Sequence, residues 1–295
     1  DVRDLVTIKG RAIRYAGSIQ INVNFVERVE ADEGTLRDFV PSSSRPIEEM
    51  KASLEEYLSS IKNPHLRGIA SHFLGQGPTA ETFARAPAAK SIHHAWGGGL
   101  LEHTLSVCGI LEKTWQHFDS LYPGFLDRDL LLTGGLLHDV GKTWEIDATS
   151  FEYTDEGRLM GHLVMMHEAV ASYLRDHPDF PASLGLHLKH IILSHHGELE
   201  HGSPKRPKTP EAWAIHLADL MDVRVAWLHQ ELSSVEPGAW TPFLRLHGRY
   251  FWRAPRPTQE AEKDTGPPDE DPPSSPAGSE EKNEKNNEEQ KQLFK

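Results

Sequence analysis

The chain has 295 residues, 38% of them hydrophobic, which is enough for a substantial core, and 31 basic against 44 acidic residues leave a net charge of −13. That charge excludes a protein that coats nucleic acid or an anionic membrane by bulk attraction, so any phosphate-bearing substrate has to be held by local groups. One cysteine, Cys108, excludes an intramolecular disulfide and a multi-cysteine zinc site and fits a cytoplasmic location, and no apolar run nears the ~18 residues of a membrane span.

The first pattern along the chain is alternation: Ile19, Ile21, Val23 and Phe25 share one face of a strand and Gln20, Asn22 and Asn24 the other. With the segment before the Ala16-Gly17-Ser18 turn as its partner, this reads as a half-buried hairpin. Two strands alone are marginal in water. Residues 1–41 are therefore expected to be the C-terminal part of a small, truncated β-domain whose first strands lie upstream.

The pattern then turns helical. Ser44 ahead of "RPIEEMKASLEEYLSSIK" supplies an N-cap, a proline and early acids. Further helices are predicted at about Pro64–Leu74, Thr79–Arg85, Gly99–Phe118, Arg128–His138, Gly161–His177, Ser183–His196 and Pro210–Leu232, with "SFEYTDEGRL" as a short strand and turn among them. The fold class is mainly α: a helical bundle over residues 42–254. Residues 255–295 are rich in proline, glutamate and asparagine, with eleven acids and six bases, and cannot bury enough apolar surface to offset ordering, so a disordered acidic tail is expected.

Histidine is the compositional outlier, since 18 of them exceed the 11 Phe and 6 Tyr together. Several interrupt apolar helical stretches: His103 in "GLLEHTLSV", His138-Asp139 in "LLHDVGK", His162 in "LMGHLVM" and His195-His196 in "ILSHHGE", followed by Asp219 in "HLADLMD". Each alone reads as a hydrogen-bonded core residue. Together their burial costs are easiest to reconcile if they converge on bound metal. Imidazole and carboxylate ligands suit Mn, Fe, Ni or Zn, whereas Mg and Ca favour all-oxygen shells.

The order H … HD … H … HH … D resembles the HD-domain metal-dependent phosphohydrolases. The resemblance implies an all-helical fold in which His103, His138, Asp139 and Asp219 hold one divalent ion. Asp139 would bridge to a second held by His162, His195 and His196. Two ions about 3.5–4 Å apart generate a hydroxide and stabilise both oxygens of an in-line displacement at phosphorus. Lys142 stands where members reading HDxGK place a cation near the scissile phosphate; a helix C-terminal cation is the other reading. Gly141 reads as an ordinary helix stop. Asp222 is either an orienting partner for a ligand histidine or a solvated carboxylate, and His216, on the Asp219 face, is treated alike.

Over residues 1–252 the motifs "AKSIHHAWGGGLLEHT", "EGRLMGHL" and "ILSHHGELEHGSPKRPKTPEAWAIHLADLMD" are similar to the YhaM-type 3′-to-5′ exoribonucleases, an OB-fold followed by an HD domain. The hairpin then resembles the end of the OB-fold. The absence of a GYP element after the histidine pair disfavours cyclic dinucleotides. Lys205, Arg206 and Lys208 put positive charge in a proline-stiffened loop that can guide a phosphodiester chain, or is merely solvated. His93, His94 and Trp96, before a triple glycine, can contact a terminal nucleotide, or pack beside the turn.

The reading is a two-metal 3′-to-5′ exonuclease of single-stranded RNA, with DNA as a further substrate; the alternatives are a small-nucleotide phosphohydrolase and a clamp-tethered binding module. The clue to the last is "QKQLF", in which Gln290, Leu293 and Phe294 resemble the peptides that dock sliding clamps. Self-association into a homo-oligomer stays open.

Overall fold

The computed structural model describes residues 5–15, 18–30, 43, 45–89, 96–148, 150–245 and 247–255. Strands β1 (Val6–Tyr15) and β2 (Ser18–Arg28) form an antiparallel pair with a register shift between Lys9 and Gly10. The hairpin expected from alternation is present, but its burial is not. Ile19, Ile21, Val23 and Phe25 are all exposed, Ile19 at 73%, because among the described residues no third strand or helix covers that face. The Ala16-Gly17 turn and the Gln290–Phe294 segment lie outside the described residues.

The longer elements that follow among the described residues are helices, α1 (Ile47–Ser60), α2 (Pro64–Leu74), α3 (Pro78–Arg85), α4 (Gly99–Leu121), α5 (Arg128–Leu137), α6 (Lys142–Glu145), α7 (Asp155–Met160), α8 (His162–Asp176), α9 (Ala182–Ser194) and α10 (Pro210–Ser233), and beyond α10 the bundle expected to run to residue 254 gives way to non-helical chain with isolated antiparallel bridges. The helix starts are chemically specified. Asn63, Asp127, Thr154 and Thr209 each accept first-turn backbone N–H groups, and α2, α3 and α10 carry proline in their first turn. The expected Ser44 cap falls outside the described residues, and α1 instead begins behind Pro46 with no side-chain cap. "SFEYTDEGRL" supplies an isolated bridge between Ile146 and Tyr153 and then α7.

At 23 residues, about 35 Å long, α4 is the spine of the bundle. Leu100, Leu101, Leu105, Cys108 and Leu111 form its buried stripe, against α5 on one side and α10 on another. Two glycines in α5 set the approach: a Cβ on Gly135 would stand 2.5 Å from Leu111 Cδ1, and one on Gly134 2.5 Å from Ile215 Cδ1 of α10. Close packing of α4, α5 and α10 brings His103, His138-Asp139 and Asp219 to one level. No helix among the described residues is long and apolar enough to cross a membrane.

Candidate metal centre

Each candidate side chain comes from a different local setting. His103 lies on the buried stripe of α4, His138 and Asp139 in the turn that ends α5, Lys142 at the start of α6, His162 at the first residue of α8, His195 and His196 just past α9, and Asp219 midway along α10. Their polar ends meet at Asp139. Its Oδ2 is 3.5 Å from His103 Nε2, 3.4 Å from His138 Nε2 and 2.7 Å from Lys142 Nζ. Its Oδ1 is 3.4 Å from His162 Nε2 and 3.5 Å from His195 Nε2. Asp219 Oδ1 stands 3.3 Å from His103 Nε2, and His196 Nε2 3.2 Å from His162 Nε2. Two donor sets thus share one carboxylate: His103, His138 and Asp139 in one, Asp139, His162, His195 and His196 in the other.

The outer nitrogens decide which atoms face inward. His138, His195 and His196 donate Nδ1–H to the carbonyls of Gly135, Ile192 and His201 at 2.7, 2.8 and 3.1 Å. Carbonyls only accept, so Nδ1 carries the proton and Nε2 keeps its lone pair. His103 and His162 turn Nδ1 to the carboxylates of Asp222 and Glu145, at 2.7 and 2.8 Å. Five imidazoles therefore present Nε2 to one buried space. Within it, Asp139 Oδ1 and His195 Nε2 are fully buried without a hydrogen-bond partner. Orphaned acceptors in a protein interior cost about 1–3 kcal/mol each unless something electropositive fills the space. Ligands ~2.1 Å from a common ion stand roughly 3.0–3.4 Å apart, close to the spacings here. The residues fit a divalent metal.

The electrostatics agree with that chemistry. Burial favours the neutral forms of His195 and His196, and at His196 the neighbouring His195 and His162 add to it, so both values fall below the ordinary histidine value. Burial also opposes the charge on Asp139, but Lys142 and His138 outweigh it and hold the carboxyl well below its usual range. Asp219 is held down against burial in the same way, by His103 and then His138. Burial opposes the Lys142 ammonium too, and Asp139 more than restores it. At His103 burial is outweighed by Asp139, Asp219 and Asp222, which raise its value well above the ordinary one. A cation entering there displaces that proton.

Three features were not read from the sequence. Glu145, 4% exposed, accepts from His162 Nδ1–H and from the His162 backbone N–H at 3.3 Å, so one carboxylate fixes both the ring and the start of α8. Burial would raise its value; His162 and then Lys142 lower it. Its signal is an acid inside the apolar run "TWEI". Gly141 is not a conformational stop: its backbone is right-handed helical, φ −56°, and a Cβ would lie 2.3 Å from the His162 carbonyl oxygen. Gly197, at φ +80°, packs so tightly under His216 that a Cβ would meet its ring at 2.2 Å, while His216 Nδ1 bonds the His195 carbonyl at 2.8 Å. Of the two readings of Asp222, the structure selects the orienting one, since it is buried against His103 and also accepts from Ser106.

The other described candidates are not members of the two donor sets. Trp96 donates to Glu102 at 2.9 Å, Lys205 is exposed, and Arg206 is paired with Glu198 at 2.7 Å. His93 and His94 lie outside the described residues. A cavity of about 280 Å³ opens beside the cluster, lined by Glu145, Tyr153, Arg158, Met160, His162 and His196 among others.

Comparison with known proteins settles the family. The HD domain model matches residues 100–224, the span that contains every residue of the cluster. The 3′-5′ exoribonuclease YhaM of Shouchella clausii (strain KSM-K16) is 34% identical over 254 residues, covering 85% of this chain and 77% of that protein. The chain belongs to the YhaM-type HD-domain family. Membership makes this HD-domain protein a metal-dependent hydrolase acting on phosphodiesters, and the buried His/Asp cluster is where its HD segment can hold a divalent ion. No solved structure matches it.

Proposed function

We propose that this HD-domain protein is a 3′-to-5′ exonuclease of single-stranded RNA, and of DNA as a second substrate, working with two divalent ions, manganese first among them. The observation that carries the proposal is the shared carboxylate: Asp139 turns one oxygen to each of two histidine sets. The polarity and the RNA substrate rest on the relative's printed activity, 3′-5′ exoribonuclease. Two cations bound at these sets would lower the pKa of water and polarise the phosphoryl oxygens.

The chain's own residues do the rest. His103, His138, Asp139 and Asp219 would hold the first ion, and Asp139, His162, His195 and His196 the second. Asp222 and Glu145 lock His103 and His162 through Nδ1, so the inward nitrogens need no reorganisation. Lys142, 6% exposed and kept charged by Asp139, places an ammonium at the edge of the cluster, where it would offset charge developing on the phosphate. The 280 Å³ cavity would receive the terminal nucleotide beside His162 and His196, with Lys205 and Arg206 guiding the chain. Trp96, with His93 and His94, would contact the terminal base. The exposed apolar face of β1–β2 is what the end of a larger OB-fold would present. Cys108, a lone buried thiol, accords with a cytoplasmic site of action.

A 5′-labelled oligomer incubated with manganese tests this. A ladder that shortens from the 3′ end, and is absent with Asp139→Asn, is the expected result; no cleavage with Mn, Ni, Fe, Zn or Mg would end the proposal. A panel of free nucleotides run in parallel separates the exonuclease from a small-nucleotide phosphohydrolase.

A further inference from the structure

Beyond α10 the chain reads "EPGAWTPFLRLHGRYFWRAP" over residues 236–255, three arginines against one glutamate in a protein whose net charge is −13. Its described residues, all but Leu246, form a short antiparallel arm. Trp240 bridges to Trp252 and Leu244 to Arg249, and the Thr241 and Gly238 N–H groups donate to the Phe251 and Arg253 carbonyls at 2.8 and 2.7 Å. One side of the arm is anchored. Trp227 of α10 lies 3.7 Å from the His247 ring and 5.4 Å from Phe251, and the Arg253 guanidinium donates to the Ser233 and Val235 carbonyls.

The other side is uncovered. Tyr250 and Trp252 flank Phe251 in an extended strand and so turn away from its anchor. With Trp240 and Phe243 they remain 43–48% exposed. The four rings form two cross-strand pairs, Trp240 with Trp252 at 6.4 Å and Phe243 with Tyr250 at 5.2 Å. Arg245 and Arg249 are exposed beside them and make no salt bridge among the described residues. Folding alone does not ask for this, since burying such rings is worth more than leaving them wet.

The arm is also connected to the metal centre. Arg224, two residues past Asp222 on α10, reaches His247 Nδ1 at 3.3 Å. Arg224 thus adds a guanidinium between the arm and the stretch of α10 that carries Asp222 and Asp219.

We propose that this arm is a binding track for single-stranded nucleic acid, with phosphates on Arg245 and Arg249 and bases stacked on the Trp240–Trp252 and Phe243–Tyr250 pairs. The partner follows from the chemistry: a polyanion whose every monomer carries a π-face matches exposed guanidinium groups that meet no carboxylate among the described residues, Arg249 Nε donating only to the His247 carbonyl at 3.1 Å, interleaved with exposed rings, whereas an apolar protein surface would have to desolvate both arginines. Through Arg224 the track leads the strand toward the metal centre. That it delivers a 3′ end for cleavage rests on the exonuclease reading; the binding does not.

The test is fluorescence anisotropy of the whole protein with a labelled oligomer of roughly 20 nucleotides, RNA and matched DNA, kept intact with EDTA. Two double variants are compared with the parent, Arg245→Gln with Arg249→Gln, and Tyr250→Ala with Trp252→Ala. Each is expected to raise Kd at least about tenfold while the melting midpoint stays close to that of the parent. The arginine pair should also reduce the slope of log K against log salt by roughly 1.4, which is ~0.7 for each of two lost phosphate contacts on a single strand. Binding within twofold of the parent for both variants, or no binding by the parent, overturns the track. A parent that binds the oligomer through the arm in EDTA but never shortens it when manganese replaces the chelator keeps the track and removes the exonuclease reading. A parent that shortens it with no dependence on the arm does the reverse.

Discussion

Replacing Glu145 by alanine probes how the second histidine set is built without touching an inward-facing donor. The side chain makes two buried contacts, 2.8 Å to His162 Nδ1 and 3.3 Å to the His162 backbone N–H. Its removal leaves two donors unsatisfied at the first residue of α8, which costs about 1–3 kcal/mol for each that stays without a partner. It also frees the His162 ring to rotate or change tautomer. Loss of such an outer partner lowers metal affinity or activity by about 10–100-fold, or roughly 1.4–2.7 kcal/mol. Glu145→Gln keeps an acceptor for Nδ1–H and gives up only the charge, so its loss should be several-fold at most. The assay is turnover of a chromogenic phosphodiester across a manganese titration. Glu145→Ala should shift the half-saturating concentration of the weaker cation upward by 10–100-fold, with activity recovered at high metal, and Glu145→Gln should lie near the parent. A Glu145→Ala titration within threefold of the parent, or two variants that are equally impaired, would refute the orienting role.

Metal removal should be visible without any substrate. A cation at 100 times its Kd stabilises by about 2.7 kcal/mol, so EDTA should lower the melting midpoint of the whole protein and manganese restore it; an unchanged midpoint counts against a buried ion. Gly197→Ala meets a left-handed backbone and a Cβ 2.2 Å from the His216 ring, so we expect at least about 1–2 kcal/mol of lost stability from the backbone alone and a displaced His195–His196 pair, read by denaturant unfolding and metal affinity. Gly141→Ala, whose Cβ would meet backbone at 2.3 Å and not a side chain that can move, should cost more. Cys108 is fully buried, and burial raises its thiol well above the ordinary value. It should therefore resist a thiol reagent at pH 8 until denaturant is added. The unfolded chain begins to lose that proton near pH 9 while the native one keeps it, so this thiol makes stability fall as pH rises from there.

How much of this was legible in the sequence follows from what each feature depends on. Helix positions are local: apolar residues at helical spacing, with Asn63, Asp127, Thr154 and Thr209 at the starts, fix most boundaries to within a few residues. The hairpin was legible for the same reason, yet its burial was not, because alternation records which side chains share a face and not whether anything covers it. The histidines and acids of the metal centre stood out since each breaks an apolar stripe, which is again a one-dimensional signal.

What only the tertiary structure decided is how those residues relate to one another. That Asp139 divides its two oxygens between two histidine sets, that Glu145 and Asp222 are buried partners of His162 and His103, and that Gly141 is small because α8 begins against it all depend on contacts between elements far apart in the chain. The aromatic and arginine arm likewise falls within the span read as helical bundle, and its antiparallel form and its anchor on Trp227 of α10 emerge only from the fold. Residue types and their spacing carry local geometry, whereas the distances that make a site are set by how helices pack, and a single sequence does not write those down.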